Sequence, residues 1–243
     1  MKFKNKNVFI TGVNRGLGKY TFERFLKEGA NIICTVRKKN KLFANYIKNI
    51  KKKYKGTIII LQFDFEKSDQ IINELNKLKK RNIKIDILIN NVGYASGSIL
   101  EMTSMTNLEK IFKINFFSQL ILIQKLLPIL KKNKKSSIIN VCSISSFLDH
   151  RGTIGYGSSK AAFAFATKVM AKEFLRYNIR VNAIAPSAFK TDMFNKMDKT
   201  SKKKLLKDSK LKRPLSIKSV ADKILFLSSS ASNKINGKII KKF

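Results

Sequence analysis

The sequence predicts an α/β protein: a single-domain, doubly wound parallel sheet of about seven strands, with helices on both faces, spanning residues 1–243. Three observations predict it. Short β-branched apolar runs recur along the chain, longer segments with helical spacing separate them, and a glycine-rich turn, TGVNRGLG at residues 11–18, joins the first run to the first helical segment. Apolar runs that do not alternate with polar residues fit strands buried on both faces, and strand–helix alternation fits a parallel sheet with right-handed crossovers.

The strands are read at Val8–Thr11, Ile32–Val36, Thr57–Phe63, Ile85–Asn90, Ser137–Cys142, Ile179–Ala185 and Lys238–Ile240. Helical spacing covers Leu17–Glu28, where Leu17, Phe22, Phe25 and Leu26 share a face. A second helix is read over Leu108–Leu130, with Pro128 near its end, and a third over Tyr156–Tyr177, with a stripe of Ala and Phe. A further helix begins near Ser68. No internal repeat and no linker rich in Pro, Gly or Ser divides the chain. The Lys-rich stretch Phe194–Lys212 reads either as a helical lid or as a solvated face.

Composition narrows the function classes. No window of eighteen uninterrupted apolar residues exists, so no membrane-spanning helix is expected. The basic start MKFKNKNVFI has only Val8, Phe9 and Ile10 as its apolar run, which makes it a first strand rather than a secretory leader. Cys34 and Cys142 sit inside apolar runs and are read as buried thiols of a reducing cytoplasm. With His150 as the single histidine and no CxxC, no metal site is expected. The formal net charge is +36. Nucleic-acid binding is one reading of it. However, the lysines are spread over the whole chain, among many Ile, Asn and Phe residues that share A/T-rich codons, so base composition of the genome explains them better and no specific nucleic-acid partner is expected.

In the glycine loop, Thr11 ends a strand, Gly12, Gly16 and Gly18 permit a tight turn and close backbone approach, and a helix opens near Leu17. Backbone N–H groups and the positive helix end then converge on one spot, which is an anion site. The alternative is a plain strand–helix turn that uses glycine for geometry. After the second strand the chain reads Thr35-Val36-Arg37-Lys38-Lys39, with no acid. An NAD site favours an acidic residue there, whereas a guanidinium suits a 2′-phosphate, so Arg15 and Arg37 point to NADP(H).

These residues resemble the classical short-chain dehydrogenase/reductase family. TGVNRGLG matches its TGxxxGxG loop, Asn90-Asn91-Val92-Gly93 its NNAG motif, and Asn115 in KINFFS its helix asparagine. Ser143 in NVCSISS resembles the family's catalytic serine, and Tyr156 and Lys160 in YGSSK its YxxxK pair. Ile184-Ala185-Pro186-Ser187 resembles its IxPG loop, with Thr191-Asp192-Met193 following. The resemblance runs from residue 7 to about 240 and implies a Rossmann fold. Three departures stand out: Ser187 replaces a glycine, Val92 replaces an alanine, and the chain ends IIKKF where many members continue through a glycine-rich tail that packs between subunits.

The resemblance implies that Tyr156 donates a proton to a carbonyl oxygen that Ser143 polarises. Lys160 would hold the nicotinamide ribose, and Asn115 a water linking Lys160 to solvent. It implies that Gly12, Asn14, Arg15, Gly16, Leu17, Gly18, Arg37, Asp64, Phe65, Asn91, Gly93, Tyr156, Lys160, Pro186, Phe189 and Thr191 contact the cofactor. Tyr156 and Lys160, four apart, share a helix face. Tyrosine's ordinary pKa of about 10 must fall for the phenolate to act as a base at neutral pH, at about 4 kcal/mol, and a nearby ammonium works in that direction. Read alone, Ser143 could cap a turn, Asn115 could be a satisfied core amide, and Asp64 could cap the helix near Ser68. His150 could touch substrate or sit on an exposed loop.

Within the family the chain is most similar to the 3-oxoacyl-[acyl-carrier-protein] reductases. That implies a substrate held on an acidic carrier protein, which Lys131, Lys132, Lys134, Lys135 and Lys172 would attract, and a homotetramer or homodimer paired through the helices Leu108–Leu130 and Tyr156–Tyr177. The pieces ANIICTVRKK, NIRVNAIAPS and MTSMTNLEKIFKINFFSQL also resemble family members encoded with surface-polysaccharide genes, whose small-molecule substrate is a sugar derivative. A basic, non-catalytic binding protein on the same scaffold is the reading of another class. The presence of Ser143, Tyr156 and Lys160 argues against it.

Overall fold

Seven β-branched runs become seven parallel strands. They are β1 Asn7–Thr11, β2 Asn31–Val36, β3 Ile58–Gln62, β4 Ile87–Asn90, β5 Ser136–Val141, β6 Ile179–Pro186 and β7 Ile239–Lys242, each within two residues of the ends read from sequence. The structure is a computed structural model and describes residues 1–187, 200, 202–203, 207 and 214–242. Phe189, Thr191 and most of Phe194–Lys212 lie outside the described residues.

The strand order is β3-β2-β1-β4-β5-β6-β7. Successive strands build outward from β1 in one direction and then, from β4, in the other. The order reverses between β1 and β4, so the crossovers leave these two strands in opposite directions and a crevice opens beyond their carboxyl ends. Register runs straight across the β5–β7 side of the sheet: Val141 pairs with Ile184, and Ile184 with Ile240.

The helices are α1 Gly16–Lys27, α2 Lys41–Lys53, α3 Ser68–Lys80, α4 Met105–Phe112, α5 Ser118–Leu130, α6 Ile154–Glu173 and α7 Ile217–Ser228. One core packs α3, α5 and α6 on one sheet face; the other packs α1, α2 and α7 on the opposite face. Helix α2 was not singled out in the sequence. Its three buried residues, Phe43, Ile47 and Ile50, fall at helical spacing among lysines, and Asn40 caps its start by accepting from Phe43 N at 2.8 Å. Cys34 and Cys142 are buried and unbridged, as expected, and burial pushes both thiols up to about 12.

One helix of the sequence reading proves to be three segments. Residues 105–130 run as α4, a π turn at Lys113–Phe117, and α5. The run is long and apolar enough to cross a membrane, but half of its most apolar window is buried inside the protein, where α5 packs in the core. The π turn inserts extra chain between two helical faces. Its exit is pinned by Gln119 Nε2, which donates to Ile114 O at 3.0 Å and to Val92 O at 3.3 Å, and by Ser118 Oγ, which donates to Phe65 O.

Candidate active site

The glycine loop lies at the carboxyl end of β1 and is held by two threonines. Thr11 Oγ1 accepts from Asn91 N at 2.8 Å and Val92 N at 3.0 Å, tying the end of β4 to β1. Thr35 Oγ1 accepts from Gly12 N at 3.2 Å, tying the loop to β2. Gly12 and Gly16 take φ of +71° and +56°, where side chains are strained. A Cβ on Gly18 would fall against Gly12 O and lie 2.5 Å from Asn91 Nδ2, so only glycine lets α1 start this close to β1. The α1 N-terminus carries no acid in its first turn. Arg15 is its N-cap residue and is exposed, as are Asn14, Arg37, Lys38 and Lys39, while Leu17 and Gly18 are buried. A helix start whose first turn carries no acid among the described residues, with Arg15 as its N-cap and Arg37 after β2, is chemically suited to a dinucleotide phosphate.

Sequence reasoning missed the two threonines. Asn91, expected to border the cofactor, donates through Nδ2 to Thr11 O at 2.9 Å and Gly12 O at 3.3 Å, so it fastens the loop to β4.

The second group of residues gathers at the same edge of the sheet. Ser143 follows β5, is 8% exposed, and accepts from Ser145 N at 3.2 Å. Tyr156 lies in the first turn of α6, partly buried and hydrogen-bonded to Ser143. Lys160 lies one turn further and is 2% exposed; its Nζ donates to Val141 O at 2.8 Å. Among the described residues that is its one hydrogen bond, which leaves two N–H groups of a buried ammonium for a ligand. A Cβ on Gly93 would come within 3.2 Å of Lys160 Nζ, so the Asn90–Gly93 turn passes directly over the lysine.

Asn115 sits inside the π turn and is 0% exposed. Its Oδ1 accepts from Tyr94 N at 2.7 Å, and its Nδ2 donates to Tyr94 O at 2.8 Å and Ser159 Oγ at 3.0 Å. Ser159 Oγ in turn donates to Tyr156 O at 2.8 Å. Both amide hydrogens are thus committed to protein. The side chain clamps the 93–94 turn to the turn of α6 that carries Tyr156.

Burial dominates the electrostatics. It raises the Tyr156 hydroxyl above its ordinary value of 10.0, against an opposing hydrogen bond from Ser143, and it lowers Lys160. The Lys160 ammonium spends one donor on Val141 O and is not among the groups that shift Tyr156 in the chain without bound cofactor. A raised value keeps the phenol protonated at neutral pH, the form that can donate a proton. Ultraviolet titration of the chain minus its Tyr156→Phe variant is expected to show a phenolate midpoint above 10. A midpoint below that would show that the lysine, not burial, sets it.

The remaining site residues divide. Asp64 does not cap α3, whose N-cap residue is Lys67; its Oδ1 accepts from Glu66 N at 3.0 Å in a local turn. Phe65 is buried in the core and offers only its backbone. Pro186 ends β6 at the same edge, and Ser187, 4% exposed, has an Oγ with no hydrogen-bond partner among the described residues. His150 is half-buried, and its carbonyl accepts from Thr153 N at 3.2 Å and Thr153 Oγ1 at 2.6 Å. Lys131, Lys132, Lys134, Lys135 and Lys172 are not at this mouth. They follow α5 or lie near the end of α6, at the amino-terminal edge of the sheet, and Lys172 is about 24 Å along α6 from Tyr156.

Comparison with known proteins gives the same picture. Residues 6–202 match the family model described as short chain dehydrogenase. A 3-oxoacyl-[acyl-carrier-protein] reductase of Thermotoga maritima is 30% identical over 240 residues, covering 99% of this chain and 97% of the relative. Its counterpart in Buchnera aphidicola subsp. Schizaphis graminum is 28% identical, covering 99% and 96%. A glucose 1-dehydrogenase of Gluconobacter oxydans is 28% identical, covering 98% and 91%. Among solved structures, a 7α-hydroxysteroid dehydrogenase complexed with NADH and 7-oxo glycochenodeoxycholic acid superposes with a TM-score of 0.89 at 26% identity, covering 99% of this chain and 93% of that one. A short chain dehydrogenase of Burkholderia cenocepacia in complex with NADP gives 0.90 at 21% identity, covering 100% and 98%. The family model matches most of the chain and agrees with the strand order and the edge cluster: this protein belongs to the short-chain dehydrogenase family and is an oxidoreductase of that kind.

Proposed function

We propose that the chain reduces a ketone to a secondary alcohol with NADPH, and that the ketone is a 3-oxoacyl group carried on acyl carrier protein. The observation that carries this reading is the convergence of Ser143, Tyr156 and Lys160 at one sheet edge beside the glycine loop. Gly12, Asn14, Gly16, Leu17 and Gly18 would hold the pyrophosphate, Asp64 and Phe65 the adenine, Gly93 and Lys160 the nicotinamide ribose, and Pro186 the nicotinamide side. Phe189 and Thr191 keep their expected contacts as part of this reading. The bound dinucleotide would supply hydride. Ser143 hydrogen-bonds the substrate oxygen and orients it; Tyr156 gives that oxygen a proton, and the two free N–H groups of Lys160 stabilise the resulting phenolate. Asn115 acts on this chemistry by positioning the Tyr156 turn.

Arg15 and Arg37 make the cofactor NADPH rather than NADH, since each can pair with a 2′-phosphate and neither leaves an acid for a 2′-hydroxyl. Replacing both by alanine is expected to raise KM for NADPH by about 10- to 100-fold, as two charge-assisted contacts are lost, with NADH kinetics nearly unchanged. Equal effects on the two cofactors, read from steady-state rates, would remove the arginines from this role.

Carrier docking needs a second copy of the chain. The lysines at the far edge reach a catalytic mouth only if two chains pair α5 and α6 antiparallel, the Lys172 end of one beside the Tyr156 end of the other. Phe117 and Phe165, 51% and 71% exposed on the outer side of these helices, favour such pairing into the homodimer or homotetramer of a cytoplasmic enzyme. The similarity to a glucose 1-dehydrogenase favours a second reading, in which a sugar derivative is reduced. NADPH oxidation against 3-oxobutanoyl thioesters, carrier-bound 3-oxoacyl groups and keto-sugars tests the choice. Turnover of carrier-bound 3-oxoacyl groups is expected, and activity confined to keto-sugars would overturn the acyl reading.

A further inference from the structure

A cleft of about 530 Å³ opens at the amino-terminal edge of the sheet, beneath β1, β2 and β3 and opposite the glycine loop. Its size is that of a small-molecule site. Strand β3 is an edge strand whose successive side chains alternate faces: Ile58 packs with Tyr54 on the α2 side and Ile59 with Ile83 on the α3 side, all partly buried, so the apolar lining wraps the lower end of β3. The polar groups of the floor are spent internally: Asn31 Oδ1 accepts from Thr57 N at 3.0 Å and Thr57 Oγ1 at 2.7 Å, while Asn31 Nδ2 donates to Asn7 Oδ1 at 3.1 Å.

The rim is cationic and uncompensated. Lys51 and Lys55 line it, both exposed, and neither has an ion-pair partner among the described residues. The carboxylates at this edge are engaged elsewhere. Glu28 accepts from Lys2 N at 3.0 Å, and Asp86 holds Lys6 Nζ at 3.1 Å and Asn7 N at 2.9 Å. Lys53 lies over the Tyr54 ring at 5.5 Å.

An apolar floor with two unpaired ammonium groups at its lip is complementary to a molecule with an apolar tail and an anionic head. We propose that this cleft binds an amphiphilic anion, its acyl chain wrapped over the lower end of β3 from Ile58 on one face to Ile59 and Ile83 on the other, with its carboxylate or phosphate between Lys51 and Lys55. The site is separate from the catalytic edge and does not depend on which ketone is reduced there.

A dodecanoate carrying a photoreactive diazirine tests it on the intact chain. Labelling is expected in residues 54–59 and at Ile83, with dodecanoate and dodecyl phosphate competing at least tenfold better than dodecanol. The Lys51→Glu/Lys55→Glu double variant is expected to weaken binding at least tenfold, whereas Lys234→Glu/Lys238→Glu, an equal charge change at the β7 end, leaves it within about threefold. Flotation with phosphatidylglycerol vesicles that is lost in the Lys51/Lys55 variant identifies a lipid headgroup as the anion; binding of dodecanoate without flotation identifies a free acyl anion. Labelling confined to residues 143–156, equal competition by dodecanol, equal loss in the two double variants, or no labelling would overturn the proposal.

Discussion

Tyr156→Phe is expected to lower kcat for ketone reduction by about 10²- to 10⁴-fold, the range for removing a positioned general acid, while the dissociation constant for NADPH changes less than about threefold. The residue loses one hydroxyl and keeps its ring, and its hydroxyl bonds Ser143 rather than the glycine loop. Cofactor affinity, read by fluorescence titration, therefore separates the loss of a proton donor from damage to the site. Residual activity above a tenth of wild type would remove Tyr156 from the role.

Lys160→Met is expected to reduce kcat/KM by about 10³-fold or more, because both proton transfer and ribose binding lose a partner, yet to leave the melting temperature unchanged or raised. Burial disfavours the charged lysine, as its lowered pKa shows. Methionine fills a similar volume with no charge to desolvate, and that gain offsets the unpaired Val141 carbonyl, which costs about 1–3 kcal/mol. A residue whose removal costs activity but not stability is held there for chemistry. A steep fall in melting temperature would instead make Lys160 a structural pin between α6 and β5.

Both effects depend on features of unequal visibility in the sequence. The strands were legible because a strand buried on both faces must be a short apolar run, and ILIN or NIICTV can hardly be anything else. The spacing of Ser143, Tyr156 and Lys160 was legible because chain order and helical period fix it. The π turn was not: KINFF has ordinary helical character, and the extra residue comes from tertiary demands, namely that Asn115 meet Tyr94 and Ser159 while α5 stays on the core. The threonine latches were hidden for the same reason, since Thr11 and Thr35 are ordinary strand residues until the parallel register sets them beside Asn91 and Gly12. The Lys131–Lys135 group was placed at the mouth because a sequence position after a long helix does not say at which end of the sheet that helix stops.

Ketone reduction with NADPH at the edge formed by Ser143, Tyr156 and Lys160 is read from the absorbance at 340 nm on mixing the purified chain with NADPH and a 3-oxobutanoyl group on acyl carrier protein. A steady fall is predicted, matched mole for mole by 3-hydroxybutanoyl product and absent in Tyr156→Phe. No fall with this substrate or with any ketone of the panel, from a chain that binds NADPH, would show that this edge is not a ketone-reducing site.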